Sequence, residues 1–250
     1  MLEATYLHAP GIGRVTERSL WDAGVLSWRA FLDSESLPIT RARRETAAPM
    51  LEHSIEALQA NNHTFFARNL PASEQWRAAG EFANRMGFLD IETTGMGQEA
   101  HPTVVGIFDF ASGEMRTWIY GENLRDFVDA VDDYRVLVTF FGTGFDLPVL
   151  QKWDPRIKWH QIHVDLCPMF HRLGYKGGLK VIERRLGLAR PGDLDGMSGW
   201  DAVMLWRQYR QGNESALETL LRYNREDCVN LARLLPIAVR GLQKAAGYPG

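Results

Sequence analysis

Five short segments rich in β-branched and aromatic residues lie between positions 87 and 164, and they constrain the fold of this 250-residue chain more than any other feature. Their composition and length are typical of β-strands. Only turns separate the first three, whereas helical patterns separate the later ones, so we predict an α/β protein with a mixed five-stranded sheet flanked by helices. The predicted strands are Gly87–Glu92, Thr103–Phe110, Met115–Tyr120, Val136–Phe141 and Gln161–Val164.

Helical patterns account for most of the remaining chain. Residues 1 to about 85 have little strand character, so we predict a helical N-terminal region over 1–85 and an α/β domain over 86–250. Within the second unit the predicted helices are Leu124–Asp132, Asp146–Lys152, Leu179–Leu186, Asp201–Arg210 and Glu214–Val239.

Charge and targeting features place limits on the function. The net charge of −3 lacks the basic surplus of a protein that coats nucleic acid, but an enzyme whose carboxylates bind metal is compatible with it. We see no secretory signal at the start and no apolar run near the roughly 20 residues that span a bilayer. We therefore expect a cytoplasmic protein in which Cys167 and Cys228 are reduced core thiols.

Asp90 and Glu92 lie two residues apart in the first predicted strand, which ends at Thr93-Thr94-Gly95. Alternate residues of a strand point to the same face, so both carboxylates project together. Such a pair repels itself unless a cation lies between its members. Taken alone, the pattern also describes a solvated acidic strand end.

Asp146 follows the fourth predicted strand through a glycine-containing turn and begins a predicted helix. An Asp at this position is a candidate metal ligand, but it is equally typical of a helix cap.

Asp227 lies on the apolar face of the last predicted helix, in line with Leu220, Tyr223, Leu231 and Leu234. A carboxylate in an apolar stripe is costly unless it is paired or bound to metal. Tyr223 is one turn earlier, so it is placed to act at the same centre.

These three motifs, in this order, resemble those of the DEDD exonucleases in the RNase H-like superfamily. Tyr223, four residues before Asp227, resembles the DEDDy branch, and the likeness extends over roughly Gly87 to Leu235. The chain is most similar to the YprB-like ribonuclease-H-like family. The resemblance implies a 3′→5′ exonuclease that hydrolyses phosphodiester bonds of nucleic acid, with single strands or 3′ ends as substrates.

The resemblance also implies roles for individual residues. Two Mg²⁺ or Mn²⁺ ions would be held by Asp90, Glu92, Asp146 and Asp227, and Tyr223 would orient the attacking water. Carboxylate oxygens suit these hard cations, and paired cations suit in-line phosphodiester cleavage. The strand end formed by Thr93, Thr94 and Gly95 is a predicted nucleic-acid contact.

One departure from the family pattern affects the second motif. Relatives carry Asn where this chain has Phe141, so an amide that could brace the turn or contact substrate is replaced by an apolar ring. The ligand Asp146 is retained, so this difference concerns substrate preference and efficiency more than metal binding.

Two further segments are candidate nucleic-acid contacts. Residues 8–30 resemble a helix–hairpin–helix motif, in which Gly11, Gly13 and Arg14 would contact phosphate; an ordinary helical hairpin explains the same glycines. Residues 170–190 are locally basic, and Lys176, Lys180 and Arg184 are proposed phosphate contacts; a solvated helix face is the alternative.

Other polar residues near the motifs receive structural interpretations. Asp165 is expected to cap a helix or to support the centre without ligating metal. The spacing of His160, His163 and His171 does not define a metal site, so packing or surface roles are expected. Beside the exonuclease, two functions stay open: a structure-selective endonuclease using the same acids, and a binding scaffold without turnover.

Overall fold

A computed structural model of the chain describes residues 1–97 and 99–250. One mixed sheet has the strand order β3-β2-β1-β4-β5, in which β1, β2 and β3 pair antiparallel while β4 and β5 extend the sheet in parallel. The predicted fold class is confirmed, and no predicted strand end differs from the observed one by more than two residues. The strands are β1 (Met86–Thr93), β2 (Pro102–Asp109), β3 (Met115–Ile119), β4 (Val136–Thr139) and β5 (Ile162–Asp165).

Helices precede the sheet and flank it. Before β1 lie α1 (Arg14–Asp22), α2 (Trp28–Asp33), α3 (Arg41–Gln59) and α4 (His63–Asn69). After β3 come α5 (Phe127–Ala130), α6 (Asp146–Trp153), α7 (Leu166–Arg172), α8 (Leu179–Arg185), α9 (Gly199–Arg210) and α10 (Glu214–Ala246). The predicted helix over Leu124–Asp132 is wrong in detail, because only its centre is α-helical and 3₁₀ turns flank it. The predicted helices do not include α7, which follows β5 without a loop.

The two faces of the sheet pack into different hydrophobic clusters. Phe88 belongs to the cluster that includes Leu231 and Leu234 of α10 and side chains of the N-terminal helices. Leu89 and Ile91 belong to the opposite cluster, with α5 and α6. Since side chains alternate along a strand, Asp90 and Glu92 share the face of Phe88. This register turns both acids toward α10.

Buried ion pairs hold the N-terminal region together. Arg77 contacts Glu17 at 2.9 Å and Glu74 at 2.7 Å, and the side chains of all three are at most 2% exposed. Arg172 of α7 also reaches Glu74, at 3.1 Å, so the network joins residues on both sides of position 85. The boundary between the two predicted units stays a prediction.

The helix–hairpin–helix resemblance is not confirmed. Before Gly11 the structure has only a single 3₁₀ turn, Leu2–Ala4, where the motif requires a helix. Gly11 takes the positive φ of 79° that a tight turn needs, and Gly13 is the N-cap of α1. An ordinary turn into α1 therefore accounts for both glycines.

Both cysteines are buried and free, as predicted. Among the residues that the structure describes, no helix is both long enough and apolar enough to cross a membrane. The cytoplasmic location stays a prediction.

Candidate metal centre

Three of the predicted acids meet where α10 crosses the sheet. Asp90, Glu92 and Asp227 each present one carboxylate oxygen, and these oxygens all lie within 4.8 Å of one another. The alternation of β1 directs the first two toward α10, and the apolar stripe of α10 directs Asp227 toward β1. The local periodicities of the two elements therefore produce the cluster.

Burial makes the cluster electrostatically unfavourable by itself. Burial, and then the charge of Asp227, raise the pKa of Asp90 and of Glu92 well above their usual values. Glu92 is 7% exposed, and its Oε1 has no hydrogen-bond partner in the structure. Carboxylate oxygens that crowd together, one of them without a donor, are suited to a cation.

Asp146 lies beside this group but not within it. It is the first residue of α6 and is 4% exposed. Burial, and to a smaller extent the charge of Asp165, raise the pKa of Asp146 to about 7, while a hydrogen bond from the Ile91 amide opposes the rise. Its charge also acts on Asp90 and Glu92, so the fourth acid faces the same centre.

Tyr223 borders the centre from α10. Its side chain is 3% exposed, and burial, followed by the charges of Asp227, Glu92 and Asp90, raises the pKa of this phenol well above its usual value near 10. Tyr223 therefore keeps its proton. Its hydroxyl oxygen accepts a hydrogen bond from the ammonium of Lys180.

Lys180 and Arg190 bring positive charge to the acids. Arg190 donates to Asp227 and makes two further bonds to the carboxylate of Glu183, each 2.7 Å long. Both residues belong to the locally basic stretch 170–190, which was predicted to contact phosphate or, alternatively, to form a solvated helix face. In the structure the Arg190 side chain is 4% exposed and Lys180 is half-buried. The local positive charge balances the buried acids.

Asn224 belongs to the site, and the sequence interpretation missed it. It is fully buried, and its amide donates to the Asp90 carboxylate at 3.0 Å and to the Asp90 backbone carbonyl at 3.1 Å. Gly106 in β2 makes room for it, because a Cβ there would lie 1.9 Å from Asn224 Oδ1. The sequence could have indicated Asn224 as a site residue, because it lies three residues before Asp227 on a buried helix face.

The turn before Asp146 is held by Asp165. The Asp165 carboxylate accepts bonds from the amides of Phe141 at 2.7 Å, Thr143 at 3.1 Å and Cys167 at 3.1 Å. This confirms the expected cap role, since the last bond caps α7. Phe141 adopts a φ of 64° with its side chain 55% exposed. Asn adopts this left-handed region more readily than Phe.

The predicted nucleic-acid contacts have different surroundings. Thr93 is buried and donates to the Gly95 carbonyl at 2.7 Å, and the Thr94 hydroxyl accepts from His101 at 3.3 Å. Arg14 contacts Glu74 at 2.7 Å. Gly11, Gly13, Lys176 and Arg184 are exposed. All of these remain predictions as substrate contacts.

The histidines make the local contacts expected of packing and surface residues. His160 contacts His63 at 3.0 Å and Asp132 at 3.1 Å, whereas His163 contacts Thr139 at 2.9 Å. His171 lies 3.8 Å from Cys167. Within residues 1–97 and 99–250, the three carboxylates are the one group of His, Cys, Asp or Glu whose geometry suits a metal ion.

The donor set fits a hard divalent cation. It consists of carboxylate oxygens, which Mg²⁺ and Mn²⁺ prefer, and it contains the partnerless Glu92 Oε1. It contains no thiolate or imidazole that would favour zinc.

The chain was compared with protein families, curated sequences and solved structures. The model of the RNase H superfamily matches residues 87–239. No curated protein sequence matches the chain significantly. Among solved structures, the family B DNA polymerase from the hyperthermophilic archaeon Pyrobaculum calidifontis is similar, with 16% identity and a TM-score of 0.48. That alignment covers 64% of this chain and 24% of the polymerase chain.

Proposed function

This chain belongs to the RNase H superfamily, and we propose from that membership and from its acids that it is a metal-dependent nuclease. In its most specific form the proposal is a 3′→5′ exonuclease of the DEDDy type that hydrolyses phosphodiester bonds. The observation that carries the proposal is the meeting of Asp90, Glu92 and Asp227, with one oxygen from each within 4.8 Å of the others.

The acids would hold the cations. We propose that Asp90, Glu92 and Asp227 are ligands and that Asp146 completes the set for two Mg²⁺ or Mn²⁺ ions. Such ions, when bound, activate a water and stabilise the leaving oxygen of an in-line displacement. Asn224 fixes the Asp90 carboxylate, and Asp165 fixes the turn that delivers Asp146.

Tyr223 would position the attacking water. Its raised pKa keeps the phenol protonated, so it acts as a hydrogen-bond donor and not as a base. It would donate that proton to a water beside the acids.

The substrate we propose is nucleic acid with a single-stranded 3′ end. The end of β1, at Thr93, Thr94 and Gly95, lies next to the acids and would contact the substrate there. Lys176 and Arg184 are exposed and would attract the phosphate backbone. Gly11, Gly13 and Arg14 are kept as a more distant candidate contact.

Labelled oligonucleotides test the proposal. Purified protein is incubated with single-stranded DNA, duplex DNA and RNA in Mn²⁺, beside a D90N variant and an EDTA control. We expect stepwise shortening from the 3′ end with the wild type, and none with D90N or EDTA. A 3′-phosphorothioate block should stop the shortening.

Other results would favour the alternatives. Internal cuts that persist on blocked substrates would indicate a structure-selective endonuclease with the same acids. Binding without cleavage of any substrate would indicate a scaffold, and the nuclease proposal would be abandoned.

A further inference from the structure

The acidic centre contains two cationic side chains that the proposed chemistry does not require. We propose that Arg190 and Lys180 are the counter-cations of the buried acids. Arg190 stays in place, whereas Lys180 is a placeholder, meaning a counter-cation that a divalent metal ion displaces when it binds. This inference rests on the proposed metal centre and adds to it a competition between metal and lysine.

Arg190 is held so firmly that a metal ion would not displace it. Its guanidinium makes paired 2.7 Å bonds to Glu183, and Asn230 donates to the same carboxylate at 2.9 Å. Glu183 is 1% exposed, so removing Arg190 would leave a buried carboxylate without its main partner. Arg190 also occupies one oxygen of Asp227, which leaves the other for metal.

Lys180 is held much more weakly. Its hydrogen-bond partners are neutral, namely the Tyr223 hydroxyl and the Met197 backbone carbonyl, and its side chain is only half-buried. Its ammonium also lies over the Tyr223 ring, 4.4 Å from the centroid. An ammonium on a flexible stem can leave such partners at low cost.

The charge of Lys180 acts on the same acids that would bind metal. The positive charge of Lys180 acts to lower the pKa of Glu92 and of Asp227, so it favours their ionised forms. A divalent ion among these carboxylates would repel the ammonium. Displacement of Lys180 would also remove the donor that holds the Tyr223 hydroxyl, so metal loading would free Tyr223 to turn toward a water.

Calorimetric titration of Mn²⁺ into the intact protein, without nucleic acid, tests the placeholder. Lys180→Met keeps the length of the side chain but removes its charge. We expect Mn²⁺ to bind about fivefold more tightly or better, because the ammonium that repels Mn²⁺ is then absent. The matched control Arg185→Met removes an exposed charge from the same helix and should match the wild type. Circular dichroism establishes that each variant is folded.

A second variant keeps the test decisive if Lys180→Met misfolds. Lys180→Arg retains the charge and should bind Mn²⁺ as the wild type does. Unchanged or weaker binding by Lys180→Met, or tighter binding by Lys180→Arg, would overturn the placeholder. A raised KM for nucleic acid with unchanged Mn²⁺ affinity would return Lys180 to the role of a phosphate contact.

The titration separates this inference from the proposed function. Mn²⁺ binding that does not respond to Lys180→Met refutes the placeholder and leaves the nuclease standing. Binding that responds, in a protein that cleaves nothing, supports the placeholder and refutes the nuclease. If neither wild type nor variant binds Mn²⁺, both ideas fail.

Discussion

Asn224 of α10 holds Asp90 of β1 through two hydrogen bonds, one to the carboxylate at 3.0 Å and one to the backbone carbonyl at 3.1 Å. The helix and the strand thus share a direct hydrogen-bonded contact beside the three acids. This contact fixes the position of the Asp90 carboxylate.

Asn224→Ala should therefore weaken both folding and metal binding. Loss of a bond to a buried carboxylate costs about 1.5–3 kcal/mol of unfolding free energy, and loss of a group that orients a ligand lowers metal affinity about tenfold. Urea unfolding and Mn²⁺ calorimetry measure the two effects. Asn69→Ala, whose amide contacts the Phe65 carbonyl far from the acids, is the control and should leave Mn²⁺ affinity unchanged. Equal affinity in Asn224→Ala would show that Asp90 does not need this amide.

Gly106→Ala should disturb the same contact from the opposite side. The added Cβ would lie 1.9 Å from Asn224 Oδ1, and overpacking of this kind costs about 1–3 kcal/mol. In the double variant with Asn224→Ala the collision with the amide disappears and only a 3.1 Å approach to Met115 Cε remains, so the two losses should not add. Gly80→Ala meets nothing within 4 Å and serves as the control. Additive losses in urea unfolding would contradict the collision.

Local periodicity was enough to predict the strands and the faces on which the acids lie, whereas the meeting of the acids in one centre was implied by the family resemblance. β1 alternates between two buried faces, so Asp90 and Glu92 had to share one of them, and the spacing in α10 placed Asp227 on its packed face. These inferences needed only the geometry of single elements. The same reasoning located Asp146 at the start of α6.

The rest of the centre depends on tertiary contacts that periodicity does not contain. Arg190 lies in the connection between α8 and α9, and only the path of that connection brings it to Asp227 and Glu183. Lys180 was predicted to contact phosphate, with a solvated helix face as the alternative, because a count of charges cannot distinguish a basic surface from a set of counter-ions. Phe141 showed an altered motif in the sequence, but its left-handed backbone appears only in the structure.

Metal stabilisation should grow with pH. Burial raises the pKa of Asp227 to about 6 and that of Asp146 to about 7. A carboxylate with a raised pKa favours the folded state while protonated, so its contribution is complete below the unfolded value near 3.8 and is lost as the pH rises through about 6 to 7. In EDTA these acids therefore destabilise the fold above about pH 7, and a bound cation should remove that loss.

The measurement is the gain in Tm on adding Mn²⁺, which we expect to be larger at about pH 8 than at about pH 5.5. Burial lowers the pKa of His8 and His63 to about 4, so these groups add stability as pH rises, but they do so with and without metal and cancel in the difference. A gain that is the same at both pH values would show that the acids do not take up metal as they ionise.

Phe141→Asn should stabilise the protein by about 1 kcal/mol, because Asn tolerates the left-handed region and most other residues are strained in it. Little packing is lost, since the side chain is 55% exposed and its ring lies against Gly144, which has no side chain. Phe141→Ala keeps the strain and removes the ring, so urea unfolding should rank it no higher than wild type. A less stable Phe141→Asn variant would show that packing of the ring stabilises the fold more than the strained backbone at this position destabilises it.

Arg77→Met should be the most destabilising single change in the N-terminal region. It leaves Glu17 and Glu74 buried without their shared partner, and breaking such an ion pair costs about 3–5 kcal/mol. Adding Glu17→Gln should recover part of this loss, because burial already raises the pKa of Glu17 and the amide carries no charge to desolvate. Arg41→Met breaks an exposed pair on α3 and should leave urea unfolding unchanged.

Because Arg172 of α7 also contacts Glu74, we expect Arg77→Met to shift one cooperative transition of the whole chain. A separate early transition, with the nuclease fold intact, would instead show that residues 1–85 unfold independently.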